Sequence, residues 1–190
     1  MKASLFDYGA GNLHSLERAL VRLGVDARVS TDPTVQTDLL VLPGVGAFGL
    51  AADRLEASRL ALRAAIAAGR PVLGICLGMQ LLFDSSEEDG ARPGRGLSVL
   101  DGTVTRLKTR RVPHIGWTRL EETNEAMYFA HSFACRPSDS SVVTAWARHD
   151  DERFPAAVRH GRVAGVQFHP EKSSTDGLAL LEALVRGVTS

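Results

Sequence analysis

The chain has 190 residues, with 22 basic and 22 acidic side chains and an apolar fraction of 44%. That length predicts one domain, residues 1–190, able to bury a core without a disulfide or metal staple, and the apolar content lies outside the disordered range. Zero formal charge argues against a broad nucleic-acid or anionic-membrane surface, and two cysteines without C-x-x-C spacing, Cys76 and Cys135, exclude zinc-ribbon, dithiol-redox and disulfide-scaffold classes.

The N-terminus meets Asp7 too early to form a signal-peptide core. Residues 60–68, the most apolar long stretch, are cut by Arg63 and too short to span a bilayer. A cytoplasmic protein without membrane contact is expected.

The first half alternates strand and helix signals. Residues 2–6 read as a buried strand, followed by the turn cluster Asp7-Tyr8-Gly9-Ala10-Gly11-Asn12. Asn12 is placed to cap a helix whose apolar stripe is Leu13, Leu16, Leu20 and Leu23, with Gly24 as its stop. Strands are expected at residues 27–30 and 38–42, a helix at 51–68 ending on Gly69, and an apolar strand at 71–76. This alternation predicts an α/β fold of three layers, a mainly parallel central sheet flanked by helices.

In the second half, residues 97–107, 127–133, 141–147 and 163–168 read as β-segments joined largely without helices, so an antiparallel extension is expected. Residues 85–96 read as an exposed polar loop. Thr175 or Asp176 is positioned to cap a last helix through Leu178, Leu181 and Val185.

Three places carry candidate chemistry. In Gly74-Ile75-Cys76-Leu77-Gly78-Met79-Gln80 a strand runs through a small-residue turn into an apolar helical segment. This has the form of a nucleophile elbow with sulfur as the nucleophile, and the flanking glycines clear room for the sharp turn. A helix N-terminus, with roughly half a positive charge, favours an anionic sulfur there. A packed core cysteine is the alternative that this motif alone leaves open.

Second, Gly165-Val166-Gln167-Phe168-His169-Pro170-Glu171 puts an imidazole and a carboxylate two apart in extended backbone, on the same side of the chain. Glu171 can then bind one ring nitrogen of His169 and leave the other for a nucleophile. Third, Pro43-Gly44-Val45-Gly46-Ala47-Phe48-Gly49 matches G-x-G-x-x-G after a strand, but the next strand lacks the ribose-binding acid of a dinucleotide site. A near-match at Gly9-Ala10-Gly11 has Asp32 downstream, but His14 stands where the third glycine belongs. Next to an elbow, the amides of Gly44-Val45-Gly46 fit an oxyanion better than a pyrophosphate, with the Leu77 amide as a second donor. His14, His149 and His160 have no assigned role, and His114 and His131 read as structural. No histidine pair has metal-ligand spacing, and neither metal nor cofactor is called for.

Together the elbow and Val166-Gln167-Phe168-His169-Pro170-Glu171 resemble the class I, triad-type glutamine amidotransferases. The stretches Asp7-Tyr-Gly-Ala-Gly-Asn12-Leu-His-Ser15, Leu42-Pro-Gly-Val-Gly-Ala-Phe48, Pro113-His-Ile-Gly-Trp117 and Phe168-His-Pro-Glu-Lys-Ser173 narrow the resemblance to the glutaminase subunits of imidazole glycerol phosphate synthase. Thr118 and Phe133 depart from the asparagine and tyrosine common there.

The resemblance implies that Cys76 attacks the side-chain amide of L-glutamine, that His169 protonates the departing ammonia, and that Glu171 steadies His169. It further implies an oxyanion hole at Leu77, Val45 and Gly44, and glutamine contacts at Gly46, Gln80, Ser132 and Phe133. Ammonia would pass to a cyclase subunit, a (β/α)8 barrel, in a heterodimer serving histidine biosynthesis, with Asn12, Trp117 and Lys172 near the interface. A stand-alone Cys-His-Glu hydrolase, either a peptidase or a γ-glutamyl hydrolase, is the competing reading, and a nucleotide-binding module is a more distant one.

Overall fold

The computed structural model describes all residues except Asn12, Asp89 and residues 91–93. Its first half runs β1 (Lys2–Phe6), α1 (Leu13–Arg22), β2 (Asp26–Ser30), β3 (Leu39–Leu42), α2 (Phe48–Leu55), α3 (Arg59–Ala67), β4 (Val72–Ile75) and α4 (Leu77–Gln80). Two-residue strands β5 (Ser85–Ser86) and β6 (Gly94–Arg95) lead into β7 (Gly102–Arg106), β8 (His114–Arg119), β9 (Ala126–His131) and β10 (Phe133–Pro137). The chain closes with β11 (Val143–His149), β12 (Glu152–His160), β13 (Val163–Val166) and α5 (Ser174–Thr189).

The main sheet has seven strands in the order β11-β12-β13-β4-β3-β1-β2. Strands β2, β1, β3, β4 and β13 are parallel to their neighbours, whereas β12 pairs antiparallel with both β13 and β11. Strand alternation sorts the apolar side chains into two cores, because successive residues point to opposite faces. Ala3, Leu5, Leu39, Val41, Leu73 and Ile75 pack with α1 and α5 through Leu16, Leu20, Leu181 and Val185. Phe6, Leu40, Leu42 and Val72 pack on the other face with Phe48, Ala51, Leu55 and Leu62 of α2 and α3. That burial on both faces is why β3, β4 and β13 read as unbroken apolar runs. A smaller sheet, β10-β7-β5-β6, and the antiparallel hairpin β8-β9 form the extension, which is antiparallel as expected except that β5 runs parallel to β7. Among the described residues no helix is long and apolar enough to cross a membrane.

Several expected boundaries differ. The helix expected at residues 51–68 starts earlier and divides into α2 and α3 around a 3-10 turn, Glu56–Ser58. At the break, Arg59 bonds Glu56 and the carbonyls of Arg95 and Gly96, so the helix turns a cation where another apolar residue would continue the stripe. The segment expected at residues 127–133 is two strands, β9 and β10, divided at Ser132 and placed in different sheets. Of residues 97–107 only β7 is strand, and the loop expected at 85–96 contributes β5 and β6, with Ser86 buried. Helix α5 begins at Ser174 rather than behind a Thr175 or Asp176 cap, and its Ser173 hydroxyl bonds His169 O instead. The Asn12 cap expected for α1 lies outside the described residues.

Candidate active site

Strands β3, β4 and β13 are adjacent, and the three candidate motifs leave their C-terminal ends side by side, where parallel α/β sheets bind ligands. Cys76, directly after β4, has φ 52° and ψ −108°, a conformation that costs a side-chain-bearing residue about 1–3 kcal/mol. Its amide donates to Val166 O at 2.7 Å, and its carbonyl accepts from Gln80 N at 3.2 Å. The turn closes only because its flanks lack side chains. A Cβ on Gly78 would lie 1.8 Å from Leu42 O, and one on Gly74 would lie 2.7 Å from Gly78 O. Helix α4 is a single four-residue turn, so it carries little of the dipole expected behind the sulfur. Gly78→Ala is accordingly expected to cost about 3 kcal/mol or more, whereas Ala at Gly161, where a Cβ meets open space, costs about 1 kcal/mol. Urea denaturation of the two variants measures the difference.

His169 follows β13 in extended backbone, φ −104° and ψ 92°. Its Nδ1 lies 2.9 Å from Glu171 Oε1, and both side chains are 3% exposed. The backbone of His169 is gripped from the β8-β9 hairpin: its amide donates to Tyr128 O at 2.8 Å. The Ser173 hydroxyl donates to His169 O at 2.6 Å and accepts from Tyr128 N at 2.9 Å. Glu171 Oε2 is buried without a hydrogen-bond partner among the described residues. Burial by itself disfavours the imidazolium, but hydrogen bonds to Cys76 and Glu171, with their negative charges, outweigh it and raise the His169 pKa to about 10.

Cys76, Leu77, Gln80, Val45, Gly46, His131, Ser132, Phe133, His169 and Lys172 line one cleft of about 300 Å³, at the small end of the range for small-molecule sites. Gly44 lies behind the wall: a Cβ there would meet Tyr8 Oη at 2.5 Å and Leu77 Cβ at 2.8 Å. Trp117 is outside the cleft, 55% exposed, with its ring edge-on to Tyr128 at 6.0 Å. Lys172 Nζ sits 5.9 Å over the same Tyr128 ring, so cation and aromatics form one rim. Asn12 lies outside the described residues. Larger hollows of about 600 and 940 Å³ occur elsewhere, and neither of their linings contains a cysteine.

The structure adds residues that sequence reading passed over. Gln167, fully buried, donates from Nε2 to Cys76 Sγ at 3.6 Å. Tyr8 donates its hydroxyl to Pro43 O at 2.5 Å and so anchors the start of the glycine loop; burial, and then the charge of Cys76, push its pKa up and keep that donor protonated. Glu88 supplies the one carboxylate among the described lining residues and accepts the Phe48 amide at 2.6 Å. The alternative nucleotide motifs are otherwise engaged: Arg54 bonds Gly9 O, Asp32 folds onto Thr34, and Gly49 lies within α2.

The His169 shift fixes a sign for pH dependence. A histidine raised from 6.5 to about 10 contributes stability that is full below pH 6.5 and fades as pH climbs through about 10. Glu171→Gln removes one raising contact. The stability difference between wild type and this variant is expected to be larger at pH 6 than at pH 10, as read by denaturant unfolding at both.

Residues 4–186 match the family model described as glutamine amidotransferase class-I. A relative from Corynebacterium diphtheriae, named imidazole glycerol phosphate synthase subunit HisH, is 40% identical over 95% of this chain and 96% of its own length. A relative of the same name from Geobacillus kaustophilus is 43% identical over 95% of this chain and 94% of its own. A solved structure described as a glutamine amidotransferase superposes with a TM-score of 0.75 at 22% identity, covering 98% of this chain and 99% of that one, a likeness of fold. The chain belongs to the class-I glutamine amidotransferase family and, within it, to the HisH subunits of imidazole glycerol phosphate synthase.

Proposed function

We propose that residues 1–190 act as one amidotransferase domain, the glutaminase subunit of imidazole glycerol phosphate synthase, which hydrolyses L-glutamine to glutamate and ammonia for histidine biosynthesis. The observation that carries this reading is the shared cleft of Cys76 and His169, with the His169 ring held by Glu171 at 2.9 Å.

Cys76 Sγ attacks the side-chain amide carbon of glutamine, and the carbonyl oxygen becomes an oxyanion facing the backbone of Leu77 and Val45, with Gly44 behind them shaping the loop. His169 gives its proton to the amide nitrogen, the C–N bond breaks, and ammonia leaves a γ-glutamyl thioester. Water then attacks the thioester and passes a proton to His169, and C–S cleavage releases glutamate and restores Cys76. Gly46, Gln80, Ser132 and Phe133 shape the pocket for the amino acid. Glu88 is chemically suited to its ammonium group, a charge-assisted pairing.

Ammonia becomes protonated in water, so a glutaminase that feeds a synthesis needs a receiving partner close by. We assign that role to the cyclase subunit of the synthase, in a heterodimer docked at the rim formed by Trp117 and Lys172, with Asn12 close to it in the reading from sequence. Support comes from the exposure of Trp117 beside the cleft and from the relatives' name as a synthase subunit. The two free, buried thiols suit a reducing cytoplasm.

Cys76→Ala is expected to lower glutamate release by about a thousandfold or more, while the cyclase mixed with this variant still runs on added ammonium. Wild-type chain that cleaves peptides or γ-glutamyl conjugates and ignores glutamine in the presence of the cyclase would instead establish the stand-alone hydrolase. Glu88→Gln should raise KM for glutamine about tenfold with kcat little changed, the pattern of a lost ground-state contact, read from steady-state kinetics of the complex.

A further inference from the structure

His114 and His131 face each other in register across the β8-β9 hairpin, and both are buried. Neither belongs to the Cys-His-Glu group. Their hydrogen bonds form a chain whose donors can be assigned from its end. The Phe133 carbonyl can only accept, so His131 Nδ1, 2.9 Å away, carries the proton. The Nε2 of a neutral His131 is then bare and accepts from His114 Nδ1 at 3.1 Å. That leaves His114 Nε2 bare, and the Thr118 hydroxyl 2.9 Å away must donate to it.

The groups facing these rings favour neutrality. Burial, and then the nearby His149, lower the His114 pKa to about 4 against a raising influence of Asp150. For His131 burial dominates; the Phe133 carbonyl opposes it, His114, His149 and His169 reinforce it, and the result is about 3. His149 itself stacks on His114 with centroids 4.1 Å apart and bonds Arg111 O. A second proton on His131 would sit on Nε2 and set two N–H groups against each other at the 3.1 Å contact, and one on His114 would sit on Nε2 and force the Thr118 hydroxyl to turn from donor to acceptor.

Beyond Phe133 the chain continues to the sulfur. The Phe133 carbonyl also accepts from Gln80 Nε2 at 3.0 Å, which obliges Gln80 to turn its amino face inward. The same nitrogen donates to Gln167 Oε1 at 3.0 Å, and this fixes the Gln167 amide with its nitrogen toward Cys76 Sγ. A reversed Gln167 would aim a carbonyl oxygen at the sulfur.

We propose that Thr118, His114 and His131 are positioning residues: their neutral hydrogen-bond chain anchors the Phe133 carbonyl, orders Gln80 and Gln167, and so keeps an N–H donor on the catalytic sulfur. The inference rests on the reading of Cys76 as the nucleophile of glutamine hydrolysis. It gives the outer hairpin, whose other side carries the exposed Ile115 and Trp117, a direct line to the reactive atom.

Nitrogen-15 NMR of the histidine rings in the wild-type protein at pH 7 tests the proton assignment without any variant. Both rings are expected as neutral Nδ1–H tautomers with bare Nε2; an Nε2–H tautomer or a cation at either overturns the proposal. Thr118→Val removes the outermost donor from a half-buried hairpin position. In complex with the cyclase it is expected to lower kcat for glutamine hydrolysis about tenfold, the scale of one hydrogen bond, with KM unchanged within about twofold and Thr118→Ser restoring the rate. Iodoacetamide alkylation at Cys76, located by mass spectrometry, should slow in the Val variant alone. Alkylation that responds to Thr118 in a protein inactive on glutamine would sustain the chain and refute the glutaminase reading. Glutamine turnover and alkylation both indifferent to Thr118→Val would refute the chain.

Discussion

The placement of Cys76 depends on one tight backbone approach, that of Gly78 to the carbonyl of Leu42, where no Cβ can fit. It lets the chain reverse at the end of β4 and holds Cys76 in a conformation of φ 52° that an unconstrained cysteine would avoid. A buried core on both faces of the sheet over-determines that turn. The strain is tolerated because β3, β4 and β13 are locked side by side, and the sulfur stands clear of the strand that carries it.

The same sheet order delivers the partners. Adjacent strands end in the glycine loop, the elbow and the His-Pro-Glu turn, so residues remote in sequence meet without long connections. The β8-β9 hairpin then closes the arrangement from outside. Through Tyr128 and Ser173 it fixes the backbone of His169, and through His131 and the Phe133 carbonyl it reaches Gln80, Gln167 and the sulfur. One exposed element therefore touches both sides of the Cys76–His169 pair, and its rim bears Trp117, a suitable place for a partner to be felt.

Much of this was legible in the residues. The apolar runs of β3, β4 and β13 announce a sheet buried on both faces, and the glycine spacing around Cys76 announces its turn. Strand β9 of the hairpin falls in the β-segment expected at residues 127–133, but β8 was not legible, for a physical reason. In β8 the large apolar side chains, Ile115 and Trp117, point to solvent, while His114 and Thr118 point inward, so the pattern is inverted relative to an ordinary half-buried strand. Strand β12 was hidden by Pro155 and by two alanines of low strand propensity; the proline is accommodated opposite Trp146, at a register irregularity in the ladder with β11. Gln167 and Ser173 act through contacts with α4 and β9 that no local pattern encodes, and Gln167 sits in plain view two residues before His169.

The central claim is that a single sulfur carries the chemistry, and it is tested most directly by acid-quenching the complex during turnover of glutamine and mapping the modified peptide by mass spectrometry. A γ-glutamyl group on Cys76 that disappears on the timescale of glutamate release is the predicted result. Turnover with Cys76 unmodified, and the acyl group found on another residue or on none, would contradict the account.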